Sequence, residues 1–417
     1  MRSQRQTASA AQLDGQARLL LAVQALYGVA NALSGTFLPV YLWRSGGSFA
    51  VIGWFSLSST AAAGLTFWLA GRWVKAHNKM HSLRTGLFLS CLFYSAVLWL
   101  GRGAAGWAVP LGALGGVAAG FFWLAYNVVY FEITDRENRD RFNGSAGFLG
   151  SGAGILAPWL SGLLITALKG EAGYRLIFAI SLALFGAAGV LSFFLRRRKS
   201  EGRYGWLYGF RQLANRDSPW RRAIPALFAQ GMREGVFMFL LGLLVFLATG
   251  KEKSLGNYTL WTSAVSLGSF WLLGRWLGPG RRRPAMLAGA LMIAVVVAPL
   301  FWQVNYTTLL LLGIGTGLFM PLYAVPMTSV VFDLIGRSRE SAEHREELIV
   351  LRELGLTAGR TVGLALYLLV VSLTKRQDAL VWLLFAVGAM PVVSWWLLRK
   401  RLPGRAGRSR AGGPVRA

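Results

Sequence analysis

Three ionisable residues lie deep within apolar segments of the sequence. Arg233 and Glu234 are adjacent in the stretch QGMREGVF, and Arg360 lies in a second apolar segment. Arg233 and Glu234 follow Arg222 by 11 and 12 residues, which places them roughly 16–18 Å along a helix and near the middle of a hydrocarbon core of about 30 Å. Charges at that depth cost at least a few kcal/mol and normally face a cavity or a partner.

The spacing of these charges indicates which pairs can form. Adjacent residues on a helix point about 100° apart, so Arg233 and Glu234 each need a partner on another helix. Arg360 lies roughly 12 Å past Arg352 along its helix and is the expected partner of Glu234. Glu234 could carry a proton, while Arg233 or Arg360 could hold an anionic group. A static ion-pair network is the alternative. Gln230, in the same stretch, is grouped with them as a pathway residue.

Polar and aromatic side chains recur in three other apolar segments. They are Gln24, Tyr27, Asn31 and Ser34 in the first, Trp123, Tyr126, Asn127 and Tyr130 in the second, and Tyr323 in the third. An amphipathic aromatic wall of this kind suits a mostly apolar ligand with a few polar groups. Helix–helix hydrogen bonding and packing is the alternative for each residue.

The sequence gives little support to other chemistry. The one cysteine, Cys91, cannot form a disulfide framework or a cysteine-based metal site within one chain. The histidines lie between the apolar segments, and there is no Walker-type phosphate loop and no nucleophile–base arrangement. We therefore expect no enzyme activity, no cofactor and no bound metal.

Twelve segments are long and apolar enough to cross a membrane, for which about 20 residues are needed. Only 15% of the 417 residues are charged, against about 25% in soluble proteins. We number the segments as spans 1 to 12: 19–43, 49–70, 85–101, 107–131, 144–168, 174–195, 223–248, 256–277, 285–303, 307–332, 349–374 and 379–398. They are too long for barrel strands, so the sequence predicts an all-α integral membrane protein.

The distribution of Lys and Arg predicts the orientation of the spans. With the N-terminus (1–18) inside, the inside segments hold 34 of the 44 Lys and Arg residues and the outside ends hold 8. We use "inside" and "outside" for the ends assigned in this way. Most of the net charge of +27 then reflects topology and not nucleic-acid binding. Both termini are expected in the cytoplasm of a bacterial-type inner membrane, with the basic tail 399–417 attracted to anionic lipid.

One heptapeptide occurs twice. FWLAGRW at 67–73 and FWLLGRW at 270–276 end spans 2 and 8, and they lie 203 residues apart. Similar pairs at offsets of 201 and 205 residues link spans 4 and 10 and spans 5 and 11. The sequence therefore predicts two six-span halves in the same orientation, 19–195 and 223–398, joined by an inside linker, 196–222.

Two parallel six-helix halves resemble the major facilitator superfamily (MFS), and the resemblance covers about residues 17–400. It implies the MFS fold, in which the halves rock about a midplane site and spans 1, 4, 7 and 10 line the central path. It also implies a secondary active transporter that works by alternating access.

The loop motif of the family, G-x-x-x-D-R-x-G-R-R between spans 2 and 3, is only partly present. Gly71 and Arg72 begin the first copy, but Lys75 stands at the Asp position. Gly274 and Arg275 begin a second copy, which also lacks the Asp. In the family this acidic residue locks the cytoplasmic gate through charge pairing, so that role must be absent here or located elsewhere.

Glu132 and Asp333 are the predicted substitutes for that acid, because they lie at matching inside ends of spans 4 and 10. Alternatively, they are ordinary interfacial acids that pair with the nearby Arg136 and Arg337.

Span 5 resembles the antiporter motif of the family, G-x8-G-x3-G-P-x2-G-G. It carries Gly144, Ala153, Ala157, Pro158, Ser161 and Gly162 at the motif positions. Small residues allow a close helix approach and Pro158 permits a bend. Generic small-residue packing is the alternative explanation.

These observations favour proton-coupled export of a small amphipathic compound, by a monomer in the lipid bilayer with no nucleic-acid partner. The nearest alternative is proton-coupled uptake of an anionic or sugar-like nutrient, which Arg233 and Arg360 could serve. A non-transporting membrane sensor or assembly partner on a transporter scaffold is the third possibility.

Overall fold

The computed structural model describes residues 13–76, 79–133, 139–168, 171–196, 204–277, 279–335, 339–374 and 376–400, and it contains a helix at every predicted span. Spans 1 to 6 are formed by Gly15–Gly35 with Leu38–Gly46, Phe49–Ala76, Lys79–Leu100, Ala108–Ile133, Arg139–Ala167 and Glu171–Ser192. Spans 7 to 12 are formed by Trp220–Thr249, Glu252–Trp276, Arg282–Val295, Tyr306–Ile335, Arg345–Leu373 and Gln377–Gly388 with Met390–Leu398. Two short helices, Tyr208–Ala214 and Arg339–Glu343, lie outside the spans.

Ten segments of the described chain are long and apolar enough to cross a membrane. One of them, Lys79–Tyr130, has 52 residues and contains both span 3 and span 4, which the 3-10 segment Gly101–Trp107 separates. Span 8 does not reach the same apolarity, because serine and threonine recur along its 25 residues. Several helices extend beyond the predicted spans at the inside, since hydropathy marks only the part of a helix that lies in hydrocarbon.

Prolines divide two of the spans into two helices each. Span 1 is interrupted between Gly35 and Leu38, just before Pro39, and span 12 is interrupted at Ala389, before Pro391. Proline lacks a backbone N–H and disfavours helical conformation in the residue before it, but it is well suited to the first turn of a new helix.

The chain forms two compact units. Unit 1 consists of Met1–Trp206, Met238–Leu260 and Leu364–Leu373, and unit 2 of Leu207–Phe237, Trp261–Gly363 and Thr374–Ala417. Spans 7, 8 and 11 contribute residues to both units. The division into two six-span halves stays a prediction from the sequence repeat.

The same five helix pairs occur among spans 1–6 and among spans 7–12. In unit 1, span 4 packs against spans 2 and 3, span 6 against spans 1 and 3, and span 5 against span 1. In unit 2, span 9 packs against spans 10 and 12, and close contacts join span 8 to span 10, span 7 to span 11 and span 7 to span 12. Adding six to both span numbers of a pair in unit 1 gives the corresponding pair in unit 2. The sequence repeat therefore corresponds to a repeat in packing.

Glycines at equivalent positions permit one of these repeated contacts. A Cβ at Gly86 of span 3 would lie 2.8 Å from the Cα of Phe122 in span 4. A Cβ at Gly289 of span 9, 203 residues later, would lie 2.7 Å from the backbone nitrogen of Tyr323 in span 10. Both crossings therefore require glycine, because a real side chain cannot approach a neighbouring backbone so closely.

We predict that Gly86→Val and Gly289→Val each lower the free energy of unfolding by about 1–3 kcal/mol through overpacking. The control is Gly268→Val in span 8, where a Cβ would meet no described atom within 4 Å. Thermal denaturation in detergent should show lower melting temperatures for the first two variants and no loss for the third. Equal melting temperatures for all three would contradict the packing that we describe.

Candidate functional site

The backbones of spans 7 and 11 cross in close contact. Span 7 carries Gly231 and Gly235 four residues apart, and span 11 carries Gly359 and Gly363 at the same spacing. A Cβ at Gly235 would lie 2.8 Å from the Cα of Arg360, and one at Gly359 would lie 2.9 Å from the backbone nitrogen of Met232. Small residues four apart are the usual means by which membrane helices approach closely. The crossing brings side chains on the two helices within hydrogen-bonding distance.

Two carboxylates bind the guanidinium group of Arg360 at this crossing. The Nη2 and Nε atoms of Arg360 donate to Oε2 of Glu234 at 2.7 and 3.1 Å. Its Nη1 atom donates to Oε1 of Glu353 at 2.8 Å. The expected pairing of Arg360 with Glu234 is therefore present. The three side chains are between 18% and 25% exposed, so the cluster is only partly enclosed by the described residues.

Two further polar residues extend this charged cluster, which we call the Arg360 cluster. Nε2 of Gln230 donates to Oε1 of Glu234 at 2.7 Å, one turn away on span 7. Nη1 of Arg352 lies 3.5 Å from Oε2 of Glu353 on span 11. Positive and negative groups thus alternate from Arg352 through Glu353 and Arg360 to Glu234, an order in which each charge has an opposite neighbour.

Arg233 points away from this cluster. It is 5% exposed, and its guanidinium carbon lies 4.2 Å from the ring centroid of Phe237, a cation–π contact. Its Nη1 atom lies 3.7 Å from the sulfur of Met320 in span 10. Adjacent residues thus face different neighbours, as their helical separation of about 100° requires.

The short helix Tyr208–Ala214 packs against the inside end of span 11. The Tyr208 hydroxyl donates to Oε1 of Glu340 at 3.1 Å, and its ring stacks on His344 with centroids 3.9 Å apart. Burial and the hydrogen bond to Glu340 raise the pKa of Tyr208. This contact fixes the start of the helix that carries Glu353 and Arg360.

In unit 1, the predicted aromatic wall includes a packed core. Tyr27 stacks on Phe122 with centroids 3.5 Å apart, and it meets Trp123 and Phe185 edge-on. Tyr27 is 4% exposed, whereas Trp123 is 38% exposed. The burial of Tyr27 favours the packing alternative for that residue and leaves Trp123 at the surface of the wall.

The remaining predicted pathway residues occupy different environments. The Tyr126 hydroxyl donates to Oε1 of Gln24 at 2.5 Å, which joins span 4 to span 1. Asn31 is exposed and donates to the carbonyl of Tyr27, while Asn127 and Tyr130 are partly buried. Tyr323 is fully buried in unit 2. Their roles in transport stay predictions.

A crevice of about 540 Å³ lies in unit 2 between spans 8 and 10. Phe270 and Phe332 supply aromatic surface, and Thr328 and Ser329 supply hydroxyl groups. An ion pair between Arg282 and Asp333 also lines it. Its volume and mixed lining are those of a small-molecule site.

The predicted substitutes for the missing gate acid form ion pairs at equivalent positions. Glu132 pairs with Lys79 of span 3. Asp333, 201 residues after Glu132, pairs at 3.1 Å with Arg282 of span 9, 203 residues after Lys79. The alternative partners, Arg136 and Arg337, lie outside the described residues.

Other predicted gate residues are only partly described. Arg72 lies 6.0 Å from the ring centroid of Trp206, and Gly71 packs against the hydroxyl end of Tyr204, so the linker covers this end of span 2. Gly274 and Arg275 lie in the helix of span 8, but their side chains are not among those that the structure describes.

In span 5, the small residues near the start of the helix have no close neighbour among the described atoms, whereas those near Pro158 contact other helices. A Cβ at Gly144, Gly147 or Gly150 would meet no described atom within 4 Å. Near Pro158 the helix is in close contact: Ser161 donates to the carbonyl of Leu33 at 2.8 Å. At the same level, a Cβ at Gly162 would lie 2.8 Å from the backbone oxygen of Glu252.

Glu252, at the outside end of span 8, belongs to a second charged cluster, which the sequence did not reveal. Its Oε1 atom accepts from Arg44 at 2.6 Å and from the Tyr174 hydroxyl at 2.9 Å. Arg44 also lies over the ring of Phe246, with 5.4 Å to its centroid. Within unit 1 these contacts join span 8 to the outside ends of spans 1 and 6.

Glu353 was also missed, although a pattern pointed to it. It precedes Arg360 by seven residues, which is two helical turns, so the two residues share one face of span 11. Glycines at 355, 359 and 363 mark the neighbouring face as a close crossing. Among the described residues, no group of three or more His, Cys, Asp or Glu side chains could hold a metal ion.

We predict that Glu132→Gln destabilises the protein more than Asp333→Asn. Lys79 is 0% exposed, so removal of its carboxylate leaves a buried cation, at a cost of about 2–4 kcal/mol. The Asp333 side chain is 67% exposed, and loss of a surface pair costs under about 1 kcal/mol. Thermal denaturation of the two variants provides the comparison, and equal losses would contradict the unequal burial of the two pairs.

Comparisons with known proteins agree with this architecture. The family model of the Major Facilitator Superfamily matches residues 20–279. An uncharacterised protein of Bacillus subtilis (strain 168), YqgE, is 40% identical over 360 residues, which cover 86% of this chain and 83% of the relative.

Two solved structures show the same fold at low identity. An inward-facing structure of a bacterial homologue of the iron transporter ferroportin has a TM-score of 0.67 and 17% identity, over 93% of this chain and 98% of that chain. A D-xylose-proton symporter has a TM-score of 0.66 and 13% identity, over 91% of this chain and 96% of that chain. Together with helices at all twelve predicted spans and the packing repeat, these matches show that the chain belongs to the Major Facilitator Superfamily of multi-pass membrane transporters for small molecules.

Proposed function

We propose that this transporter exports a small amphipathic compound in exchange for protons. It would act as a monomer in a bacterial-type inner membrane, with both termini in the cytoplasm, as the excess of Lys and Arg at the inside ends indicates. The observation that carries the proposal is a carboxylate in the middle of span 7, Glu234, which is bound to a cation on span 11 and has a side chain that is 21% exposed.

Glu234 suits a proton carrier for physical reasons. A carboxylate within hydrocarbon is stable only when it is paired or protonated, so a change in its pairing changes its affinity for a proton. The contacts with Arg360 and Gln230 define the paired state. About one fifth of the side chain is exposed, and we propose that protons reach the carboxylate from that side.

The surfaces available in each unit suit an amphipathic substrate. In unit 1, Trp123 and Asn31 are exposed and the Tyr126–Gln24 pair lies beside them. In unit 2, the crevice between spans 8 and 10 combines phenyl rings with hydroxyl groups. Large apolar surface with a few polar groups binds compounds of the same mixed character.

The direction of transport is inferred from span 5. Its small residues and Pro158 match the spacing of the antiporter motif of the family, and Ser161 and Gly162 make the close contacts that such a motif provides. We place the gate charges of the inside ends at Lys79–Glu132 and Arg282–Asp333, because these pairs occur in both sets of six spans.

Proton-coupled uptake of an anionic or sugar-like nutrient is the second candidate. It is favoured by Arg233, a buried cation near span 10 whose guanidinium could attract an anionic group. A D-xylose-proton symporter has the same fold, so the fold itself does not decide between the two directions.

We predict that Glu234→Gln abolishes proton exchange. In everted vesicles with an acidic interior, addition of an amphipathic compound should dissipate the proton gradient, followed with a pH-sensitive dye. The Glu234→Gln variant should give only the signal of protein-free vesicles, because an amide cannot carry the proton. The control is Asp378→Asn, which removes a carboxylate with a 75% exposed side chain at the outside end of span 12 and should leave the exchange unchanged.

Each other outcome has a definite meaning. Exchange that persists in Glu234→Gln would refute Glu234 as the proton carrier. No response to any compound in everted vesicles, together with substrate accumulation in right-side-out vesicles under an inward proton gradient, would replace export with uptake.

A further inference from the structure

Arg360 creates an electrostatic problem for any proton step at Glu234. A guanidinium group keeps its charge at all physiological pH values, so Arg360 cannot become neutral when Glu234 takes up a proton. An unpaired cation within hydrocarbon is strongly unfavourable. If Glu234 were the sole partner of Arg360, protonation of Glu234 would leave a partly buried cation without a counter-charge, and proton binding would be unfavourable.

Glu353 removes this obstacle. Glu353 accepts from Nη1 of Arg360, whereas Glu234 accepts from Nη2 and Nε. The two carboxylates therefore bind different N–H groups at the edge of one planar guanidinium group. A bidentate or bridging geometry of this kind is characteristic of strong arginine–carboxylate contacts. Arg360 therefore still has one ionised partner after Glu234 becomes neutral.

Gln230 is suited to both protonation states of Glu234. Its Nε2 atom donates to the ionised carboxylate at 2.7 Å. Its Oε1 atom is buried, and within the described part of the chain it accepts no hydrogen bond. Rotation of the amide would present this oxygen to the O–H of a protonated Glu234, so the neutral acid would also have a hydrogen-bond partner.

We propose that Glu353 is a positioning residue of the proton step: it holds Arg360 when Glu234 is protonated, and so makes reversible proton binding at Glu234 possible. The proposal rests on the proposed function. The step is a simple proton transfer, in which the Glu234 carboxylate gains one proton from water and becomes a neutral acid. Glu353 stays ionised throughout, and Arg360 moves its hydrogen bonds from two carboxylates to one.

The other charged groups near Glu234 leave this assignment intact. On span 11, Arg352 lies 3.5 Å from Oε2 of Glu353, which is not the oxygen that accepts from Arg360. On span 7, Arg233 is directed towards Phe237 and Met320. On span 10, Tyr323 is buried and lies within the electrostatic reach of Glu234 and Arg233.

The sign of the expected effect follows from the charges. Removal of the Glu353 charge removes a like charge from the neighbourhood of Glu234 and leaves Glu234 as the main counter-charge of Arg360. Both changes favour the ionised form of Glu234, so the pH at which half of Glu234 is protonated should fall, by about one pH unit or more.

The test measures this midpoint directly in the full-length protein in liposomes. Infrared difference spectra recorded over a pH series report protonated carboxyl groups, and the band absent from Glu234→Gln identifies Glu234. We expect Glu353→Gln to move the midpoint of that band to lower pH, and Glu353→Asp, which keeps the charge, to move it less. The pH profile of compound-driven proton exchange should shift in the same direction.

An unchanged midpoint in Glu353→Gln, or a shift to higher pH, would overturn the proposal. If Glu353→Gln fails to fold, Arg352→Gln provides the second measurement: Arg352 then no longer competes with Arg360 for Glu353, so Glu353 holds Arg360 more strongly and the midpoint of the Glu234 band should move to higher pH. No change there would equally refute the role. Failure of the proposed function would look different, since Glu234→Gln would then retain proton exchange whatever Glu353 does.

Discussion

The close crossing of spans 7 and 11 is the constraint on which the charged site depends. Arg360 is placed in a segment that must otherwise be apolar, and its charge is tolerable only if carboxylates lie within hydrogen-bonding distance. Gly235 and Gly359 let the two backbones approach until Glu234 and Arg360 meet. A larger residue at either position would separate the helices, and the charges would then lose their partners together with the packing. The ion pair between Glu234 and Arg360 therefore depends on the glycines that permit the close crossing.

The internal repeat duplicates the packing of the helices but not their chemistry. Gly86 and Gly289 make equivalent crossings, and Lys79–Glu132 and Arg282–Asp333 make equivalent ion pairs. Among the described residues of spans 1–6, the Arg360 cluster has no charged equivalent. Ile155 stands in span 5, 205 residues before Arg360, and the hydrogen-bonded pair in the first set of spans is neutral, Gln24 with Tyr126. Packing between helices constrains both copies equally, whereas the ionisable residues of this crossing occur only in the second copy.

The sequence predicted the spans and the Glu234–Arg360 pair because both depend on simple physical rules. Long apolar runs must be helical in a membrane, and a charge inside such a run must find a charge in another one. It did not predict Glu353, because a carboxylate near the inside end of a span resembles an ordinary interfacial residue. The partners of Glu132 and Asp333 were also not foreseen. Lys79 lies several residues before the predicted start of span 3, since hydropathy alone does not show that the helix continues past the hydrocarbon boundary.

The Arg44–Glu252–Tyr174 cluster shows a different limit of sequence analysis. Each residue lies at the end of a different span, where charges and tyrosines are common and carry little information. Their meeting depends on the close approach of span 8 to span 5 at Gly162. Only the assembled helices determine that distance.

Under the proposed function, the charges of the Arg360 cluster would link the direction of transport to the charge of the substrate. Arg352 and Arg360 balance the two carboxylates of the cluster, Glu353 and Glu234, so protonation of Glu234 would leave the cluster with a net positive charge. Exchange requires that proton and substrate disfavour each other's binding, and coupling of this kind is reciprocal. A cationic amphipathic compound near the cluster is repelled by the protonated state, which is the behaviour of an antiporter. An anionic compound is attracted by that state, which is the behaviour of a symporter. Under the proposed function, the same four side chains would therefore favour export for a cationic substrate and uptake for an anionic one.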